Sequence, residues 1–174
     1  MKYETYFENE SLSSYAIIAL EDKTILSEKQ SEDEVTLLLD LKQALQEIDP
    51  DIICAWAIQE QVFLPLQKRF HWHGLTFDLG RSREAHWFIE RQYRGHDLAV
   101  LQGRQLLDIE QLMSHTWERY DESTPECILK EIFNLEIPIE NSANTATRAL
   151  LLTRLVQHKN LVALSLRRSL LTGL

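Results

Sequence analysis

The hydrophobic period of the chain changes several times, and each change predicts an element. Near the start, "KYETYF", "SYAIIALE" and "KTILSE" are short runs rich in aromatic and β-branched residues, separated by polar stretches, which predicts an antiparallel meander. The period then lengthens. Val35, Leu38, Leu41, Leu45 and Ile48 recur at helical spacing until Pro50 forbids continuation, and Ser31 with Glu34 spells a capping box, so a helix is expected over 31–48. The run "IICAW" (52–56) is continuously apolar and short, as a central strand covered on both faces should be. A helix should follow, with Pro65 in its first turn and Gly74 as its stop.

The second half is less regular. Residues 75–102 interleave arginines with Trp87, Phe88 and Tyr93, which predicts an irregular or hairpin segment. "RQLLDI" reads as a strand leading into a helix through Trp117, and Thr124-Pro125 opens the helix "ECILKEIFNL" with Thr124 as N-cap. From 143 to about 171 the chain is Leu-rich and amphipathic with no Gly or Pro, which predicts one long helix. No repeat or linker interrupts the 174 residues, and 44% hydrophobic content suffices for a single domain over 1–174. This order of elements suits an α/β domain with a mixed central sheet.

Composition narrows the setting. Cys54 and Cys127 match neither a zinc pair nor a disulfide framework and read as buried or half-buried thiols in a reducing compartment. No apolar run reaches membrane-spanning length and the first residues lack a secretory pattern, so the expected location is cytoplasmic, with no membrane partner. The net charge of −9 conceals a segregation: residues 1–51 hold 13 acidic and 4 basic side chains, whereas 141–174 hold 5 basic and no acidic ones. Overall acidity opposes strong, unspecific binding of phosphate backbones. Any contact with nucleic acid should be local and salt-sensitive.

Against this background, Asp49-Pro50-Asp51 followed by Ile52, Ile53 and Trp56, with Leu66-Gln67-Lys68 in the next helix, resembles the second exonuclease motif of the family B DNA polymerases, nearest to the bacterial DNA polymerase II type. Leu79-Gly80-Arg81 resembles the family's "LGR", and Gly103-Arg104 with Leu107-Asp108 resembles its strand ending in aspartate. The likeness runs from residue 2 to 174. It implies a ribonuclease-H-like fold of the 3′–5′ exonuclease kind, with a mixed central sheet and flanking helices. It also implies phosphodiester hydrolysis by two divalent metals on carboxylates, one making the hydroxide and one stabilising the leaving oxygen.

The motif residues depart from that chemistry. "KYET" puts Lys2 in the place of the first motif's aspartate and leaves Glu4; Ala57 replaces the second motif's asparagine and Val62 its aspartate; "NTATR" puts Asn144 and Arg148 in the third motif. Three of the four metal-binding carboxylates are thus missing and two have become cations, which repel a metal pair. The resemblance therefore implies a site with no metal, no cofactor and no catalytic residue. Two features imitate chemistry. Asp108-Ile109-Glu110 spells the first motif, but after the wrong strand, and Asp108 reads as a helix cap; His71 and His73 suggest a metal, but an i, i+2 pair on a helix diverges and suits the C-terminal dipole better. Glu60, two residues from Val62, should point elsewhere.

The expected function is a silent exonuclease-like module in DNA replication or repair. Its partners would be single-stranded DNA, met through Arg81, Arg83, Trp87, Arg91, Tyr93 and Arg94, and the remaining domains of a polymerase or a replication factor. Glu84, Glu90 and Asp97 oppose that DNA surface, and Arg167-Arg168 marks a second face suited to a partner. Two alternatives stand beside it: a divergent exonuclease using Glu4, Asp108 and Glu60 with magnesium or manganese, and a protein-interaction module without DNA binding. The chain starts at the family's first exonuclease strand and stops where the family continues toward its polymerase part. It is therefore expected to be a piece or remnant of a larger polymerase, unable by itself to synthesise DNA.

Overall fold

The computed structural model describes residues 11–82, 87–90, 97–114, 116, 124–134 and 145–172. Among them the architecture is mixed α/β. Strands β1 (Ser14–Ile18) and β2 (Ile25–Gln30) precede helix α1 (Glu34–Ile48) and strand β3 (Ile52–Ala55). A π-helix (Ile58–Phe63) runs into α2 (Leu64–Trp72), and β4 (Trp87–Glu90), β5 (Asp97–Val100) and β6 (Gln105–Asp108) follow. Helices α3 (Ile109–Ser114), α4 (Pro125–Phe133), α5 (Thr145–His158) and α6 (Leu161–Thr172) complete the order. The strands pair two by two, β1 with β2, β3 with β6 and β4 with β5.

Local chemistry explains most boundaries. β1 and β2 form the expected hairpin: Ala19 N–H donates to Thr24 O at 2.9 Å beside the turn, and Ser31 N–H donates to Ser13 O at 3.1 Å beyond its far end. The third strand of the expected meander, "KYETYF", lies outside the described residues. In the arginine-aromatic segment, expected to be irregular or a hairpin, two strands pair, with Trp87 opposite Val100 and Glu90 opposite Asp97 in antiparallel register. α2 carries Pro65 in its first turn and is followed by Gly74 at a φ of 65°, a left-handed stop.

Four expectations are corrected. α1 starts at Glu34, because the Asp33 carboxylate caps the helix by accepting from Val35 N–H, and Ser31 Oγ accepts from Asp33 N–H one step earlier. Glu34 does not close a capping box; its carboxylate turns inward. β3 is not sealed on both faces: its four residues are half-buried and its described partner is β6 alone. The C-terminal stretch is two helices. Asn160 adopts a φ of 49° and its N–H donates to Gln157 O, ending α5, while Leu164 N–H donates to Asn160 O to start α6. Asparagine visits the left-handed region cheaply enough to break a helix that has neither Gly nor Pro. Thr124 does precede α4 in an extended conformation, with Pro125 in the first turn, but its hydroxyl makes no capping bond.

Contacts gather into two compact units. The first comprises Met1–Tyr15, Lys29–Ile53 and Gln59–Leu106, the second Ala16–Glu28, Cys54–Ile58 and Leu107–Leu174. The first buries Leu37, Leu38, Leu66, Phe70, Leu79 and Leu101, and Phe77 meets Phe63 and Phe70 edge to face at 6.5 and 5.4 Å between centroids. The second has a continuous apolar core of Trp56, Ala57, Ile109, Met113, Ile128, Leu129, Leu155, Val156 and Leu161. None of the described helices is long and apolar enough to cross a membrane.

Candidate functional site

The turn after β3 carries Trp56 and Ala57, read from sequence against the second exonuclease motif. Trp56 and Ala57 are buried, and Ala57 has a φ of 42°, in the left-handed region where a Cβ crowds the following carbonyl. The chain then passes into the π-helix, a rare geometry that recurs at functional sites. Val62 is half-buried on that π-helix and Glu60 is exposed.

Asp108, at the end of β6, organises this turn within the second unit. Its Oδ1 accepts from Glu110 N–H at 3.0 Å and Gln111 N–H at 3.4 Å, capping α3 as its sequence position suggests, and its Oδ2 accepts from Ile58 N–H at 3.2 Å. Withdrawal from water raises its pKa above the usual aspartate value, and the backbone donors offset that only in part. Arg148 is exposed on α5. Lys2, Glu4 and Asn144 lie outside the described residues. Among the described residues, no group of three His, Cys, Asp or Glu side chains could hold a metal ion.

The residues that carry the resemblance at Asp49, Arg81 and Arg104 form a knot in the first unit. Arg81 Nε donates to Asp49 Oδ1 at 2.7 Å, its Nη2 pairs with Asp51 Oδ1 at 2.7 Å and donates to Asp49 O at 3.0 Å, and its Nη1 donates to Gly103 O at 3.0 Å. Gly103 has a φ of 79°, and a Cβ there would lie 3.0 Å from the Arg81 side chain, so only glycine fits without displacement. The Arg104 side chain is 1% exposed and donates to Leu79 O, Pro50 O and Leu45 O at 3.1, 2.6 and 3.1 Å. It thereby adds a second donor to Leu45 O, which already accepts from Asp49 N–H at the end of α1. Arg81, read from sequence as a phosphate contact, thus spends its guanidinium on four oxygens of its own chain. Trp87 opens β4, and Arg83, Arg91, Tyr93 and Arg94 lie outside the described residues.

No protein-family model matches the chain, and no curated protein matches it.

Sequence reasoning missed one site. Glu34, 8% exposed, accepts from Arg69 Nε at 2.7 Å and Leu12 N–H at 2.8 Å on Oε1, and meets Arg69 Nη2 and, at 2.8 Å, His73 Nε2 on Oε2. Arg69, above all, holds its pKa down at about 2. His73 is therefore half-buried on a carboxylate rather than an exposed partner of the helix dipole, whereas His71 is exposed. The available signal was twofold: Arg69 and His73 share one face of α2 at i, i+4, and Glu34 continues the apolar stripe of α1 toward Leu37, Leu38 and Leu41. Cys54 is half-buried and burial pushes its thiol up to about 11, which suits an inert thiol.

Proposed function

We propose that this chain is a ribonuclease-H-like exonuclease module of the family B polymerase kind from which the hydrolytic chemistry has been removed, retained as a scaffold that contacts DNA or other polymerase parts. The observation that carries the reading is Ala57. At this position the resembled motif has asparagine, one of the few residues that occupy left-handed backbone at low cost. Here the backbone is left-handed, with a φ of 42°, yet the residue is alanine and its methyl lies in the apolar core. A conformation suited to a polar residue has outlived that residue.

The remaining chemistry agrees. Neither Ala57 nor Val62 offers an oxygen to a hard cation, and the Asp108 carboxylate is engaged by backbone N–H groups from two segments of its unit. The knot of Asp49, Asp51, Arg81, Gly103 and Arg104 gives the "DPD", "LGR" and "GR" pairs a structural role that needs no catalysis. The test is exonucleolytic shortening of 3′-labelled single strands with Mg²⁺ or Mn²⁺, comparing the chain with a Glu4→Ala, Asp108→Asn double variant prepared identically. Loss of nucleophile generation and leaving-group stabilisation removes many powers of ten in rate, so both preparations should leave the strand intact. Digestion by the unmutated chain alone would mean that the site has been rebuilt on Glu4 and Asp108.

A further inference from the structure

Helix α2 presents a second surface that the degenerate site does not explain. Trp72 is 77% exposed, an unusual state for the side chain with the largest apolar area, and it lies in an open groove of about 400 Å³ lined by Gln67, Lys68, His71 and Trp72. Lys68 and Trp72 stand one helical turn apart, as do Gln67 and His71, so all four line one side of α2. The Arg69 guanidinium lies 5.9 Å from the Trp72 ring centroid, and Arg69 is itself held by Glu34, so the indole is supported by a fixed cation. Among the described residues Lys68 has no ion-pair partner, and no carboxylate lines the groove, in a chain whose net charge is −9.

We propose that this face of α2 docks single-stranded DNA, with one unpaired base stacked on the Trp72 indole and the adjoining phosphate paired with Lys68. The proposal deepens the scaffold reading above and rests on it for the choice of DNA. An exposed aromatic beside an exposed ammonium is the pairing that single-strand binding uses, because every base has a face to stack and every step a phosphate to neutralise. Gln67 and His71 line the same groove and offer polar atoms to the edge of that base. A duplex is a poor occupant, since its bases are already stacked on one another.

The experiment titrates a labelled ten-nucleotide oligo-dT with the full chain at low salt and follows anisotropy and tryptophan emission. Trp72→Leu should lower affinity by roughly five- to a hundredfold, the worth of one stacked base, and abolish the quenching that binding causes. Trp72→Phe should keep part of the affinity. Lys68→Ala should weaken binding and shrink the slope of log affinity against log salt by about 0.7. Trp72 is exposed, so these variants should fold, as unchanged circular dichroism would verify. If Trp72→Leu binds as the parent does while Arg91→Glu, Arg94→Glu abolishes binding, DNA contact survives and the α2 site is wrong. Absence of binding by the parent at low salt overturns both. Oligo-U bound as tightly, with the same dependence on Trp72, overturns the assignment to DNA in favour of RNA. A concentration-dependent dimer lost in Trp72→Leu, without DNA binding, makes a second copy the occupant.

Discussion

Two carboxylates, one in each unit, have both been withdrawn from water, and their acidities move in opposite directions. Glu34 accepts from Arg69, from the ring of His73 and from a backbone N–H, and its pKa falls to about 2. Asp108 accepts backbone N–H groups only, and desolvation wins, so its pKa rises. Both are hydrogen-bonded on each oxygen. What separates them is a positive charge, which repays desolvation where peptide dipoles do not. The first unit is built around paired charges, Glu34 with Arg69 and Arg104 among carbonyls and Asp49; the second is built around an apolar core with one carboxylate bridging two turns.

The comparison breaks most visibly at Glu34. Glu34→Gln keeps the shape but strands the Arg69 charge, and breaking a buried pair costs about 3–5 kcal/mol. Arg69 and His73 retain 17% and 23% exposure, so the expected loss is near the lower figure, about 3 kcal/mol. Urea denaturation at neutral pH measures it. The sign with pH follows from the lowered value: the stabilisation is full above about 4.5, the ordinary glutamate figure, and fades as pH falls toward about 2. Acid titration of stability should therefore be steep across that window for the parent and shallower for Glu34→Gln.

Asp108→Asn sharpens the contrast. A carboxyl raised above its ordinary 3.8 contributes stability that is fully present below that figure and lost as pH rises through the raised value, so at neutral pH its charge is a liability. Asparagine caps α3 as well as aspartate does but gives up one acceptor toward Ile58 N–H. A lost hydrogen bond of about 1 kcal/mol set against relief of a buried charge should leave stability within about 1 kcal/mol of the parent. A loss as large as that of Glu34→Gln would show that the two carboxylates are equivalent and the contrast false.

Such pairs also mark the limit of what the sequence shows. Hairpins, α1, α2, β6 and α4 follow from alternation, helical period and Pro or Gly punctuation, which are local signals. Arg104 was legible as part of a motif but not as the buried cation that closes α1, because its partners Leu45, Pro50 and Leu79 are brought to it by the fold. Glu34 was legible as a capping residue three positions after Ser31. Asp33, the stronger local cap, displaced it and freed it for a tertiary role. Asn160 hid the helix break because only its backbone conformation, not its side-chain pattern, ends α5. At the candidate site the apolar side chains of Ala57 and Val62 were visible, whereas the left-handed turn and the π-helix were not.

That turn gives the smallest effect and the closest test of the proposed history. Ala57 at a φ of 42° is crowded by its own Cβ, a cost of roughly 1–2 kcal/mol for a left-handed L-residue. Glycine removes that crowding but also removes a methyl that is 5% exposed in the second unit's core, worth about 0.8 kcal/mol of burial. Strain wins narrowly. Ala57→Gly should raise stability by up to about 1 kcal/mol, read as a higher urea midpoint with an unchanged slope. Ala57→Val, which adds β-branching where φ is positive, should move the midpoint the other way. If glycine instead lowers stability by about 2 kcal/mol, the full worth of the lost methyl and the added freedom of the unfolded chain, the turn is not strained, and the claim that it was shaped for a residue now missing loses its physical basis.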